Sequence, residues 1–253
     1  IAYSAAISAC EKGKEWQRAL ILLAALRGNR LKANVITYNS AISACEKGHQ
    51  WQQALNLFEE MERQSIAPEV ITYNAALSAC EKGSKPDQAL ELLEAMKWQR
   101  AEPNVITYSA AISASARGEP EQALRLFLEM QAMRTAPNEF VYSAAISACE
   151  KDSPQALDLL ARMQEQDLSP NVIIYNAAIK ACSQSGHPGQ SLKLLEEMQW
   201  RWGLVPDVIT YSAAGSACER AAHPMALLHM LDEVLHCISL GSPQCSGASR
   251  IRL

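Results

Sequence analysis

Two series of short polar side chains recur along the chain, and their types suit directional hydrogen bonding rather than bond breaking. The first series is Ser4, Asn39, Asn74, Ser109, Ser143, Asn176 and Ser212, each directly after a tyrosine. The second is Asn34, Glu69, Asn104, Asn138, Asn171 and Asp207, each four residues ahead of the next tyrosine. Hydroxyls and amides both donate and accept, whereas carboxylates only accept. Restriction of the first series to Ser and Asn in seven copies favours a shared polar surface, although an exposed first helical turn or recent duplication accounts for it too. The second series stands just before a helix, where a side-chain acceptor satisfies orphan backbone amides. Capping alone therefore explains Asn34, Asn104, Asn138, Asn171 and Asp207, and recognition can coexist with it.

Nothing in the chain has the arrangement that catalysis or metal binding needs. Serines are abundant, but none lies in a nucleophile context such as G-x-S-x-G. His49, His187 and His223 are turn residues separated by long stretches, without acidic or cysteine ligands beside them. There are eight cysteines, and Cys10, Cys45 and Cys80 fall 35 apart, with Cys149, Cys182 and Cys218 continuing at 33 and 36. No C-x-x-C or His-paired spacing accompanies them, so they read as free thiols filling a small buried space near a helix end, in a reducing compartment. We expect no enzyme activity, no metal and no cofactor.

The elements that must hold the polar series are set by a repeat. Tyrosines stand at 3, 38, 73, 108, 142, 175 and 211, each inside a copy of one segment, for example VITYNSAISACEKG and VITYNAALSACEKG. A period of this size marks a stacked solenoid. In the type unit, Val35 to Glu69, the residues Tyr38, Ala41, Ile42 and Cys45 form a helix stripe that Gly48 ends. Trp51, Ala54, Leu55, Phe58 and Met61 form a second stripe, with Gln52, Gln53, Glu59, Glu60 and Glu62 on the wet side. Pro68 closes the unit. Small residues after each tyrosine allow close approach of the first helices, while Leu57, Phe58 and Met61, repeated as Leu92, Leu93 and Met96 and as Leu126, Phe127 and Met130, supply bulk. Gly215, where other copies have Ile or Leu, is expected to weaken the last first helix. Length changes fall in the turns, where they cost little.

The expected fold is all-α, a superhelical solenoid of tandem helix-turn-helix repeats over residues 1–235. Its units run about 1–34, 35–69, 70–104, 105–138, 139–171, 172–207 and 208–242, the last degenerate, and residues 236–253 form an irregular tail. The chain has 253 residues, 49% hydrophobic and 20% charged, which is enough apolar material for a buried interior. A net charge of -4 argues against a nonspecific polyanion binder. No stretch is apolar enough for a membrane span, so no membrane insertion is expected. Because Ile1 lies in the middle of a repeat, we expect the natural start to lie upstream, with any targeting peptide.

The consensus V-I-T-Y-N/S-A-A-I-S-A-C-E-K-G … A-L-x-L-x-E-E-M … P-N resembles the pentatricopeptide repeat family, in its plain variety of regular 35-residue units, up to about residue 235. The resemblance implies a right-handed superhelix whose first helices line a concave face, in a mitochondrion or chloroplast, binding single-stranded RNA for processing, stabilisation or translation. It also implies one base per unit, contacted by the residue after the tyrosine and the last residue of the same repeat. The pairs are Ser4 with Asn34, Asn39 with Glu69, Asn74 with Asn104, Ser109 with Asn138, Ser143 with Asn171, and Asn176 with Asp207, and Ser212 begins a seventh. By the family's correspondence, Ser with Asn implies adenine, Asn with Asp uracil, and Asn with Asn a pyrimidine, giving 5′-A-?-(C/U)-A-A-U-3′. Glu69 departs from the usual Asn or Asp, and no base is assigned to its unit.

The alternative is a protein-binding scaffold or peripheral subunit of a ribosome or other organellar assembly, since solenoids present long faces to proteins as readily as to RNA. Lys12, Lys47, Lys82 and Lys151, each beside a glutamate, read as a solvated salt-laced edge or as a phosphate track. Trp16 and Trp51 read as packing residues. Trp98, Trp200 and Trp202 stand near the ends of second helices, where partial exposure would suit a protein partner.

Overall fold

The structure is a computed structural model that describes residues 2–220. Among the described residues there are thirteen helices and no strand: α1 (Ala2–Lys12), α2 (Trp16–Gly28), α3 (Val35–Lys47), α4 (Trp51–Arg63), α5 (Val70–Gly83), α6 (Pro86–Trp98), α7 (Val105–Ser115), α8 (Pro120–Ala132), α9 (Glu139–Ala148), α10 (Ser153–Glu165), α11 (Val172–Gln184), α12 (Pro188–Trp200) and α13 (Val208–Arg220). Odd-numbered helices are the first and even-numbered the second of each pair. The tail, His223 and the second helix expected after α13 lie outside the described residues. Helix α13 runs its full 13 residues through Gly215.

The chain forms two compact units, Ile1–Ala148 with α1–α9, and a second beginning at Cys149 with α10–α13. Within the first, α1, α3, α5, α7 and α9 stack side by side, and each second helix packs on its own first helix and on the next one. In the second unit α11 packs on α10, α12 and α13. Tyr38, Ala41, Ile42 and Cys45 are fully buried, as are Ala54 and Met61, with Leu57 and Phe58 nearly so. Leu55, expected in the buried stripe, is only half-buried. No second helix packs its backbone on another among the described residues. Long polar side chains bridge them instead: Arg27 to Glu60 at 2.6 Å, Lys97 to Glu129 at 2.7 Å and Gln164 to Glu197 at 3.0 Å.

Both kinds of helix end in the same local device. The Gln50 N–H donates to the Cys45 carbonyl at 2.9 Å across a left-handed His49, and the Ile66 N–H to Met61 at 3.0 Å across a left-handed Ser65. These six-residue closures satisfy carbonyls that the last turn leaves open. Helix α4 thus stops before Pro68 is reached. Cys10, Cys45, Cys80 and Cys182 supply the closing carbonyl of their first helices, and the recurring thiol is buried at Cys45, Cys80, Cys149, Cys182 and Cys218 and half-buried at Cys10. Burial pushes the Cys45 thiol up to about 11.

Gly48 does not end its helix through left-handed backbone, since its φ is -85°. It is small because Trp16 of the preceding unit lies against it: a Cβ there would stand 2.3 Å from the indole Cδ1, and one on Gly83 would stand 2.5 Å from Trp51 Cγ. At Gly118 the facing residue is Pro86, 3.9 Å away. Gly83→Ala should therefore lower stability by about 1–3 kcal/mol in urea unfolding, while Gly118→Ala is neutral or mildly stabilising. Adding Trp51→Leu to Gly83→Ala should recover most of the loss.

The tyrosines explain another pattern that the spacing alone misplaced. Glu60, expected on the wet side, accepts from the Tyr38 hydroxyl at 3.1 Å, and Glu129 accepts from Tyr108 at 2.8 Å. The equivalent residue beside Tyr73 is Ala95, so the Tyr73 hydroxyl is buried without a partner. Burial, helped by Glu62, pushes it up to about 12. Thermal unfolding should show Tyr108→Phe losing about 1–2 kcal/mol and Tyr73→Phe losing nothing or gaining, since only the former removes a made hydrogen bond.

Candidate functional site

The two polar series come together at the N-terminal ends of the first helices. Asn34, Asn104, Asn138, Asn171 and Asp207 each cap the helix that follows: the Thr37 N–H donates to Asn34 at 3.0 Å, Thr107 to Asn104 at 3.1 Å, Val141 to Asn138 at 3.0 Å, Ile174 to Asn171 at 3.1 Å and Thr210 to Asp207 at 2.8 Å. Capping is thus part of what these residues do.

A buried threonine three residues after Asn34, Glu69, Asn104 and Asp207 joins these positions to the preceding unit. Thr37, Thr72, Thr107 and Thr210 are at most 1% exposed. Their hydroxyls lie 3.0 Å from Ser4 Oγ, 2.6 Å from Asn39 Oδ1, 2.7 Å from Asn74 Oδ1 and 2.5 Å from Asn176 Oδ1. Two of the expected pairs are in direct contact as well. The Asn74 amide donates to Asn104 Oδ1 at 3.4 Å, and the Asn176 amide to the Asp207 carboxylate at 3.1 and 3.3 Å. No hydrogen bond joins Asn39 to Glu69, nor Ser109 to Asn138. Ser143 belongs to the first compact unit and Asn171 to the second. Ser212 is exposed at the start of α13, and Asn176, at 9% exposure, is the most enclosed of the first series. Burial pushes the Asp207 carboxyl up, but the Thr210 N–H and hydroxyl and the Asn176 amide outweigh that and hold it below the usual carboxylate range.

Beside each polar pair stands a large apolar side chain that the sequence reading missed. Ile36, Ile71, Ile106 and Phe140 in the first compact unit, and Ile173 and Ile209 in the second, are 55–75% exposed. Each stands two residues before a tyrosine, about 200° around the helix from it, hence off the buried stripe. An apolar residue recurring at an off-stripe position was the available signal. Trp98 and Trp200 are exposed as expected, whereas Trp16, Trp51 and Trp202 are half-buried.

The opposite ends of the first helices carry charge, most of it paired between units. Lys47 binds Glu11 at 2.9 Å, Lys82 binds Glu46, and in the second compact unit Lys180 binds Glu150. Lys12 and Lys151 are exposed. The edge is therefore salt-laced, with the bridges running from one pair to the next. Among the described residues no cluster of His, Cys, Asp or Glu could hold a metal, and no helix is long and apolar enough to cross a membrane.

Stacked helix pairs with a recurring polar pair and an exposed apolar side chain define an all-α repeat protein. The pattern described as pentatricopeptide repeat domain matches residues 1–47, 56–117 and 125–185, together more than half of the chain, and PPR repeat family matches 170–218. The chain belongs to the pentatricopeptide repeat family. No curated protein sequence matches it. Among solved structures it is similar to the maize pentatricopeptide repeat protein PPR10, with a TM-score of 0.64 and 26% identity over 92% of this chain and 34% of that one. It is also similar to PPR10 in complex with an 18-nt psaJ RNA element, with a TM-score of 0.55 and 26% identity over 93% and 33%. The pentatricopeptide repeat domain of Arabidopsis thaliana protein-only RNase P 1 shares the fold, with a TM-score of 0.58 and 18% identity over 64% of this chain and 86% of that one. The chain spans about a third of the length of the maize protein.

Arg117 stands in register with Lys47 and Lys82, but no salt bridge joins it to Glu81 as those lysines are joined to Glu11 and Glu46. Burial pushes its carboxyl up, against a hydrogen bond from Ser113 and the nearby Lys82 charge, with Glu46 adding repulsion. A raised carboxyl binds its proton more tightly when folded, so the folded chain is destabilised as pH rises through that value. Glu81→Gln should therefore be more stable than the parent at pH 7, and the difference should fade as pH drops below the ordinary carboxylate range, as read by urea unfolding across pH.

Proposed function

We propose that the chain binds single-stranded RNA, one base to each helix pair, and acts as a binder rather than a catalyst. The observation that carries this is the recurrence, beside each capped polar pair, of an exposed isoleucine or phenylalanine at the mouth of a first helix. A nucleobase has a flat apolar face and a polar edge. The exposed apolar side chain suits the face, and the amide, hydroxyl and carboxylate groups suit the edge. The maize relative solved with an RNA element supports the same reading.

Family correspondence gives the target 5′-A-?-(C/U)-A-A-U-3′, with the undefined base at Asn39 and Glu69, the pair that is not joined. A site of six or seven nucleotides is short and gives modest selectivity by itself. The place of action is a mitochondrion or chloroplast, in processing, stabilisation or translation, where a bound clamp blocks a nuclease or holds a site open. A protein partner is the second reading, favoured by Trp98 at 88% and Trp200 at 65% exposure and by the lysines already neutralised by glutamates.

The test is equilibrium binding of the purified chain to ACCAAU RNA and to a scrambled control over a salt series. Matched RNA should bind at least about tenfold tighter, and Asn176→Ser should move the preference at the last base from uracil toward guanine. Equal, weak binding to both RNAs that vanishes with salt would leave only phosphate attraction and shift the reading to the protein scaffold.

A further inference from the structure

The buried threonine at the third position of the first helices has a consequence for the asparagine of the preceding unit. Thr107 is fully buried, and its oxygen accepts the Asn104 N–H at 3.1 Å. Its single proton has two acceptors in reach, Asn74 Oδ1 at 2.7 Å and Asn104 Oδ1 at 3.1 Å. Asn104 Oδ1 is already served by the Ile106 and Thr107 N–H groups, so the shorter contact to Asn74 takes the proton. The Asn74 carbonyl is thereby held inward and its NH2 turned toward Asn104 Oδ1 and the open edge. Turning the amide over would set its oxygen against the Asn104 oxygen. The whole arrangement recurs at Thr210 with Asn176, where the reversed amide would face the Asp207 carboxylate. At Thr72 the hydroxyl accepts the Glu69 N–H and donates to Asn39 Oδ1 in the same way, without the contact from the amide to the cap.

A serine hydroxyl rotates freely and has no end to fix. In register with the three asparagines of the first series stand Thr72, Thr107 and Thr210. In register with Ser4, Ser109 and Ser143 stand Thr37, Val141 and Ile174. Loss of the threonine thus falls on units that carry serine.

We propose that Thr72, Thr107 and Thr210 are specificity-determining positioning residues, which fix the amide of Asn39, Asn74 and Asn176 so that each presents an N–H donor to its base. This rests on the RNA reading above. Every base has some acceptor, so the selection lies in where it stands: both pyrimidines set O2 where adenine has a C–H and guanine an amine, and a donor fixed toward that point favours a pyrimidine. Without the threonine the amide can present either end, and the discrimination is lost while the contact remains.

The test uses the full chain as the parent, Thr107→Val and Thr107→Ser, with ACCAAU, ACAAAU and ACCAAA RNAs. Thr107→Val keeps the shape and removes the hydroxyl. The parent should prefer cytosine over adenine at the third base by about tenfold. Thr107→Val should bring that ratio to within about threefold of unity while leaving the preference for uracil at the last base intact, and Thr107→Ser should restore it. A merely structural role would weaken both positions together, and that outcome, or an unchanged third-base ratio in Thr107→Val, overturns the proposal. A parent that binds RNA with no third-base preference overturns the pair reading itself, and the proposal with it.

Discussion

Each helix here is too short to stand by itself, and the burial of its apolar face on its neighbours is what everything else depends on. The described helices are 10 to 14 residues long, a length at which an isolated helix in water is marginal. The first helix of the type unit meets this by pressing on four neighbours through tyrosine, alanine, isoleucine and cysteine, all of them at zero exposure. Once that stripe is buried, the orientation of each first helix is fixed, and so is the direction in which its remaining side chains point. The residue after the tyrosine and the residue two before it are left at the rim.

Near-identity of the copies makes their differences informative. Pro86 in place of a tryptophan frees Gly118 from the contact that confines Gly48 and Gly83. Ala95 in place of a glutamate strands the Tyr73 hydroxyl. Ser115 in place of a cysteine turns its hydroxyl back to the Ala111 carbonyl at 3.0 Å and stays buried. In each case the consequence is confined to the pair in question and its neighbour, as expected when every repeat touches only the next.

The helices, the buried stripes, the caps and the free cysteines were legible in the sequence because each follows from spacing within one unit. What was not legible depends on register between units. That Gly48 must be small is invisible without knowing that Trp16, 32 residues earlier, crosses over it. That Glu60 leaves the wet side depends on the facing tyrosine. The link from Thr72 to Asn39 likewise spans 33 residues. The polar pairs Asn74 with Asn104 and Asn176 with Asp207 were placed by family resemblance, and the structure brings both into hydrogen-bonding distance. The exposed isoleucines could have been seen as apolar residues off the stripe, but a pattern read for burial discards what does not fit the core.

The two ends of the first helices are chemically unlike, and the difference supports the proposed place of recognition. At the C-terminal ends, Glu11, Glu46 and Glu150 neutralise the next lysine, so most of the charge there is spent within the protein. At the N-terminal ends each cap accepts one or two of the first-turn amides, and Thr37, Thr72, Thr107 and Thr210 complete joints between units. What remains outward is an apolar side chain next to a donor of fixed direction. Such an edge offers little long-range attraction to phosphate and much short-range discrimination of a planar group with a polar rim. On the proposed RNA reading, affinity grows with the number of stacked units, whereas the choice of base at each unit falls to two or three side chains whose orientation the neighbouring unit sets.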